Sequence, residues 1–437
     1  MIRGEIDSNR SVWTEEAPAP RPEPPLSSRA GAEIAVIGGG LTGVSTAWHL
    51  SQGMPGDGII LIEAGVLGNG ASGRSGGQVL HGVNGARTDD PDELRRIHAA
   101  TGMGIDLAES LAEQHAPAGT FRRHGVLEVY TDAGRAEAAH ARAEGLAQAG
   151  IPVRFLAARE LPIEGVHGAL LDPTAGRLNA FALLQGMRGA LRGRGVVVHE
   201  HTPVLRVAEG KTIVLTTPRG EVRARAVVLA TNGYTPALGY FRHEILPLHS
   251  HVIATGPLSN DTWERLGWSA WDGFTDDLDR IAYASRTTTG RLLFGGGGNA
   301  AYSYLYGGAP VFPEQPNHPA WTFLRRTMVR YFPALADTPV ATRWSGTLGI
   351  TLDRVCTMGV RGTHRNVYFA LGYSGHGLAL ALLAGRVIAD LHEGNHEAWR
   401  DLAFYQRKPR PLPPEPLRWI GYQAYTRLTG RSPRRHA

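Results

Sequence analysis

Cysteine is almost missing from this chain: Cys356 stands alone among 437 residues. A single thiol excludes an intramolecular disulfide, a zinc knuckle and a cysteine-ligated iron–sulfur cluster. Lysine is nearly as scarce. Lys211 and Lys408 are the only two, and the other basic residues are arginines spread along the sequence. The formal charge of +5 therefore has no clustered basic face behind it, and nucleic acid is not expected as a partner. Long apolar runs are absent too. The best candidate, residues 378–391, is broken by Arg386 and Asp390, so no transmembrane segment is expected. The first residues carry Glu5, Asp7, Glu15 and Glu16 without the apolar stretch of a secretory signal, which suits a cytoplasmic protein. What remains is a chain with 42% hydrophobic residues, enough for two domains or one large domain with insertions.

The densest signal lies in residues 33–78. Residues 33–37 form a short apolar run suited to a buried parallel strand. It ends in Gly38-Gly39-Gly40-Leu41-Thr42-Gly43, and residues 44–50 then read as a helix. In a G-x-G-x-x-G between strand and helix, Gly38 permits the tight turn and Gly40 admits a pyrophosphate. Gly43 lets helix and strand pack closely. A second strand, 58–62, ends on Glu63, twenty positions after Gly43, with Ala64 following. A carboxylate at that distance can accept both hydroxyl protons of a ribose. A dinucleotide site is expected.

Directly afterwards comes Gly68-Asn69-Gly70-Ala71-Ser72-Gly73-Arg74-Ser75-Gly76-Gly77-Gln78. So many small residues and free N–H groups suit a second anion cradle, with Arg74 available to a diphosphate. The GASGRSGGQ stretch after such an acidic residue resembles the D-amino-acid oxidase, glycine oxidase and sarcosine oxidase superfamily, and within it the gamma-glutamylputrescine oxidase-like branch. The resemblance implies bound FAD and oxidation of a C–N bond. Near the other end, strand 367–370 leads into Leu371-Gly372-Tyr373-Ser374-Gly375-His376-Gly377 and a helix from Leu378 to 391. This sequence is similar to the superfamily's flavin-end motif. A helix N-terminus placed there favours the negative charge of a reduced flavin. Tyr373 and His376 are candidates to touch the ring or the substrate.

Between these ends the signals are weaker. The resemblance carries His81 and Asn84 past the flavin ring, though His81 can equally be read as satisfying a backbone carbonyl. Residues 92–115 and 134–148 read as helices around a strand at 125–130. The matching family position, Val204, offers backbone groups to the adenine. Ala230, Thr231 and Gly233, in the turn that ends strand 226–230, look like the family's third contact with the dinucleotide. His249 and His251 share one face of a strand at 248–254, but no third ligand is evident. They read as a polar strand at an interdomain seam, and no metal is expected. Tyr283 lies where the family places groups facing the amine, and Trp344 is a candidate pocket wall. The Pro-rich start reads as a loosely wrapped arm in which Trp13 docks on the body. A C-terminal helix, 417–428, docks on the body or on a second subunit, which leaves a homo-oligomer open.

The expected fold class is α/β: a Rossmann-type FAD-binding domain with a discontinuous α+β substrate domain on a mostly antiparallel sheet. The FAD-binding parts are 31–90, 166–240 and 341–405. The substrate-domain parts are 91–165 and 241–340, flanked by an arm, 1–30, and a tail, 406–437. Gly346 falls at the position of the flavin-linking cysteine of monomeric sarcosine oxidases, and Cys356 on a neighbouring strand, which implies non-covalent FAD. The lysine those enzymes use with oxygen falls at Leu293. The electron acceptor is thus open between oxygen and a quinone or protein carrier. The expected reaction transfers hydride from a small amine or amino acid to flavin N5, giving an imine that water hydrolyses and hydrogen peroxide from oxygen. A dehydrogenase of similar substrates, a tailoring enzyme on a carrier-bound substrate and a non-catalytic flavin-binding protein are the alternatives.

Overall fold

In the computed structural model, residues 9–86, 88, 90–268, 270–309 and 318–429 are described. Residues 1–8 of the expected arm and 430–437 of the expected tail lie outside that set. Two large sheets organise the chain. The first has a parallel core in the order Val197–His199, Ile59–Ile62, Ala30–Ile37, Gly220–Leu229 and Val367–Leu371. Four of these strands, Ile34–Ile37, Ile59–Ile62, Val227–Leu229 and Val367–Leu371, are unbroken runs of buried apolar residues, as a sheet covered on both faces requires. The long strand Gly220–Leu229 serves two partners on one side. Its first half pairs with Ile213–Thr217 and its second with Val367–Leu371.

The second sheet is mostly antiparallel and runs Tyr302–Ser303, Leu246–Pro257, Arg291–Gly296, Ala282–Arg286, Gly273–Asp276, Val126–Tyr130, Gly168–Asp172, Arg154–Ala157. Its single parallel pairing joins Gly273–Asp276 to Val126–Tyr130. An aromatic core of Trp263, Trp268, Phe274, Phe294, Tyr331 and Phe332 lies against it, closed by the helix His318–Tyr331. A small sheet of Gln78–Val79, Gly176–Leu178 and Phe121–Arg122 joins the two halves.

Three assignments made from sequence change here. Gly168–Asp172, expected on the nucleotide side, pairs with Val126–Tyr130 and Arg154–Ala157 in the antiparallel sheet. Val340–Ile350 likewise pairs along Leu246–Pro257 in the antiparallel sheet, not in the nucleotide domain. Conversely, the helix Pro91–His115 packs into the nucleotide-side core through Ile97, Ala100, Ile105, Ala108 and Leu111. Its allegiance is set by Gly104, where any Cβ would sit 2.2 Å from the carbonyl oxygen of Ala379 in the helix Leu378–Glu393. Small residues at a crossing let two helices approach, and an amphipathic pattern alone does not say which neighbour they will meet.

The N-terminal arm is held more firmly than expected. Val12 and Trp13 are fully buried beside Phe181, Leu293 and Trp344. Trp13 Nε1 donates to the Ser75 carbonyl at 2.7 Å, and Ser11 Oγ to the Gly73 carbonyl. A Cβ on Gly77 would meet the Trp13 ring at 2.4 Å. The arm therefore braces the second glycine-rich loop from behind.

Candidate active site

The two glycine turns found in the sequence border one cavity of about 1010 Å³. At the nucleotide end Gly38 adopts φ +109° and donates its N–H to the Ile62 carbonyl at 2.8 Å, which makes the strand-to-helix turn. Gly43 packs on that turn: a Cβ there would lie 1.8 Å from the Gly38 carbonyl oxygen. Glu63 accepts from Gly39 N–H at 2.6 Å and Gly65 N–H at 2.8 Å, and burial raises its pKa. Each carboxylate oxygen has a second lone pair, so hydroxyl donors can still be accepted. Ser72 Oγ accepts from the Leu41 N–H at 3.1 Å and ties the second loop to the first.

Most residues singled out from sequence line this cavity: Gly38, Gly40, Leu41, Thr42, Glu63, Ala64, Ala71, Ser72, Gly76, Gly77, Val204, Ala230, Thr231, Gly375, Gly377 and Leu378. Several others do different work. Arg74 reaches the cavity, but its guanidinium donates to the Asn9 carbonyl at 3.2 Å and to Asn69 Oδ1 at 3.1 Å. It fastens the arm to the loop. Gln78 Nε2 donates to the carbonyls of Phe274 and Ala284, which anchors the loop to the antiparallel sheet. Gly43, Gly73, Gly233 and Gly372 do not line the cavity. The first three permit close backbone approaches, as where a Cβ on Gly233 would meet the Leu348 carbonyl at 2.8 Å, and Gly372 makes room for the Thr351 side chain. Trp344 is not a pocket wall. It is 1% exposed, and its indole N–H donates to the Arg74 carbonyl.

At the flavin-end turn, Tyr373 OH and Thr42 Oγ1 are 2.7 Å apart, so the two glycine motifs are joined side chain to side chain. Asn232 Oδ1 accepts from the Gly372 N–H, and Asn84 Nδ2 donates to the Ser374 carbonyl. Ser374 holds a left-handed φ of +52°, fixed by its N–H to the Gly349 carbonyl and its hydroxyl to the Gly372 carbonyl. His376 Nε2 lies 2.7 Å from the His81 carbonyl. The His81 ring is not spent on a backbone group alone: Nε2 is 2.9 Å from Thr174 Oγ1. Tyr283 has its ring clamped between Gly76 and Gly295, with its hydroxyl 3.4 Å from Ser250 Oγ. Burial pushes its pKa up to about 12, so the phenol stays protonated. The helix Leu378–Glu393 opens at the cavity with Gly377 as its cap, which leaves first-turn N–H groups and the positive dipole end there.

Sequence reasoning did not find Thr174, His98, Asp172 or Ser250. His98, the neighbours Asp172 and Thr174, and Ser250 come from three segments, the helix Pro91–His115, the end of the strand Gly168–Asp172 and the strand Leu246–Pro257, and no spacing in the sequence links the three. His249 and His251 are occupied in the interior: His251 bonds Ser345 and Ser303, and His249 bonds the Ala309 carbonyl and Thr347. Cys356 is buried off the cavity, and burial pushes its thiol up to about 12, which disfavours a thiolate. Leu293 is fully buried among Trp13 and Trp344.

Burial also lowers His49, His81, His249 and His251 from 6.5 to about 4. An unfolded chain binds protons at these rings that the folded chain refuses. Their contribution to stability is therefore complete above about pH 6.5 and drains away as the pH falls toward 4. Each ring costs at most about 1.4 kcal/mol per pH unit in that window. Asp276, pushed up to about 6 by burial, works in the opposite sense and offsets a minor part. Thermal unfolding followed from pH 7.5 down to 4.5 should show Tm falling from about pH 6.5; a flat profile would mean the rings are solvated.

Comparison with known proteins agrees with this geometry. The model of the DAO family, described as FAD dependent oxidoreductase, matches residues 33–391. Gamma-glutamylputrescine oxidoreductase of Escherichia coli K12 is 28% identical over 401 residues, covering 88% of this chain and 89% of that protein. Glycine oxidase of Geobacillus kaustophilus is 23% identical, with 85% and 95% covered. The crystal structure of glycine oxidase from Geobacillus kaustophilus superposes with a TM-score of 0.72 at 21% identity, covering 87% of this chain and 99% of that one. L-proline dehydrogenase from P. horikoshii gives 0.69 at 22% identity, covering 86% and 96%. Both likenesses establish the mixed α/β fold. With a family match spanning both glycine turns and the cavity between them, this chain belongs to the DAO family of FAD-dependent oxidoreductases acting on amines or amino acids.

Proposed function

We propose that the protein oxidises a C–N bond of a small amine or amino acid to an imine, which water hydrolyses, with oxygen reduced to hydrogen peroxide. The observation that carries this reading is the single cavity bordered by both glycine turns, with neutral polar groups at the flavin end. The residues present fit FAD. Glu63 and Val204 would hold the adenosine end, the N–H groups of 38–43 and 71–77 the diphosphate, and the turn before Leu378 the ring. When bound, FAD supplies a two-electron hydride acceptor at N5.

The chain's own groups position and desolvate. His81, its pKa lowered to about 4, and Tyr283, raised to about 12, are both uncharged near neutral pH. Neither competes as a fixed charge, and an amine that arrives unprotonated needs no side-chain base. The Tyr283 ring walls the cavity beside Gly76, while the helix N-terminus at Leu378 would favour negative charge on a flavin held against it.

Two measurements test this. The holoenzyme mixed anaerobically with a panel of amines should lose its long-wavelength flavin absorbance with at least one of them; a panel that leaves the colour unchanged refutes the reading. Acid precipitation should release the flavin into solution intact, because Gly346 lines the cavity where covalent relatives place a cysteine. A second reading, transfer to a quinone or protein acceptor, is favoured by one observation: neither Lys211 nor Lys408 lines the cavity. Reoxidation of the bleached enzyme by air, with one peroxide formed per flavin, decides between them.

A further inference from the structure

We propose that His98 and Asp172, with His81 held beside them, form a second subsite that binds a protonated amino group remote from the carbon being oxidised. The preferred substrates would then be amines that carry an additional positive charge. This rests on the amine-oxidation reading and specifies its substrate class.

The three residues come from three segments and line one part of the cavity: His81 after Gln78–Val79, His98 in the helix Pro91–His115, Asp172 at the end of Gly168–Asp172. One nitrogen or oxygen of each lies within 4.8 Å of the others. Atoms that close together can share one bound group within hydrogen-bond reach of all three. The acceptors are of the right kind. Asp172 Oδ1 receives Thr174 N–H at 2.9 Å, Thr174 Oγ1 at 2.6 Å and Ala175 N–H at 3.3 Å, while Oδ2 lies outside those bonds. His98 Nε2 is buried with no hydrogen-bond partner, a costly state that a donor would relieve. His81 Nδ1 lies 3.2 Å from the His98 carbonyl, which only accepts, so the neutral ring carries its proton there and turns the Nε2 lone pair toward Thr174 Oγ1 at 2.9 Å. Burial lowers the pKa of both rings, so His98 presents a lone pair near neutral pH.

The surroundings agree with a cation. Arg123, whose charge acts on His81, is taken up by Asp106 and Glu109. Glu128 and Arg142 line the same cavity and balance one another in sign. A divalent metal suits the site less well. The two imidazoles are stacked, 3.7 Å apart and 7° from parallel. A metal must lie close to the plane of every ring it ligates, and two stacked planes do not share one such point; hydrogen bonds bend more readily. The His81 carbonyl meets His376 of the flavin-end turn, so the subsite adjoins the reacting end of the cavity.

The test compares 1,4-diaminobutane with 1-aminobutane on the holoenzyme. Wild type should favour the diamine in kcat/KM. Asp172→Asn keeps the Oδ1 acceptor for Thr174 and Ala175 but removes the charge, and His98→Phe keeps the stack but removes Nε2. Both should cut the diamine-to-monoamine ratio about thirtyfold, with the loss in KM and not in kcat. An equal loss for both amines, or no preference in wild type, overturns the subsite. So does a preference that disappears after dialysis against EDTA, which would assign a metal. If no amine reduces the flavin, the oxidase reading fails separately. Calorimetric titration with 1,4-diaminobutane then decides the subsite: binding that Asp172→Asn abolishes supports it, and no binding refutes it.

Discussion

Gly43→Ala should yield protein with less than about a tenth of the normal FAD content and a lower Tm in the apo form. The added methyl would sit 1.8 Å from the Gly38 carbonyl oxygen and 3.3 Å from Val36 Cγ1. Neither atom belongs to a flexible side-chain end, so the helix Leu41–Gly53 must lift from the strand Ala30–Ile37. That lift carries the Leu41 N–H away from Ser72 and Thr42 away from Tyr373, so both ties between the glycine motifs fail together. Two companions make the result specific. Gly40→Ala places its methyl 3.0 Å from Ser72 Oγ alone, so it should lower FAD uptake while leaving the apo Tm nearly unchanged. Gly145→Ala, in the helix Ala133–Gln148 with nothing within 4 Å, should raise stability by about 0.4–1 kcal/mol. Absorbance ratios after gel filtration and apo-protein melting curves measure all three. Normal flavin content in Gly43→Ala would show that helix and strand are not so tightly set.

The second large effect is expected at Arg188→Met, a loss of about 3–5 kcal/mol of stability. Arg188 Nε and one terminal nitrogen reach the two oxygens of Glu200 at 2.7 and 2.8 Å, with side chains 7% and 0% exposed. The same carboxylate accepts from Leu67 N–H and Glu23 N–H. It joins the helix Ala180–Gly193, the arm and the chain just after Glu63 in one knot. Removing the guanidinium strands a charge that two neutral donors do not balance. Adding Glu200→Gln to the variant should recover part of the loss, since no lone charge is left inside. Denaturant unfolding of both variants and wild type gives the cycle; a single-variant loss below about 1 kcal/mol would show that water reaches Glu200.

That knot was not legible in the sequence, and the reason is instructive. Gly38, Gly43 and Glu63 stand at separations set by one strand, one turn and one helix, so local geometry fixes their relation before the rest of the chain is known. The turn before Leu378 could be read for the same reason. Arg188 and Glu200 sit on consecutive elements, but nothing in their types announces burial. His98 and Asp172 depend on which sheet the strand Gly168–Asp172 enters, and that strand's apolar run suits either one. Trp344 lies off the cavity and Arg74 lines it, yet both are bound up with the arm. Their residue types suggest a pocket wall and an anion ligand, whereas the buried arm claims the Trp344 neighbourhood and the Arg74 guanidinium. An aromatic or an arginine near a site motif is as easily part of the brace as part of the site.

The brace itself has a consequence for how the molecule is made. Val12 and Trp13 are made well before their neighbours Phe181, Leu293 and Trp344, and Asn9 well before Ser345, which it bonds. The segment around them can therefore take its seat only after the strand Val340–Ile350 has been made. A fragment ending before residue 340 leaves the Trp13 indole without its Trp344 neighbour and the second glycine-rich loop without part of its brace. A well-supported loop is thus a late product of synthesis, because its brace is made long before the strand that holds the brace in place.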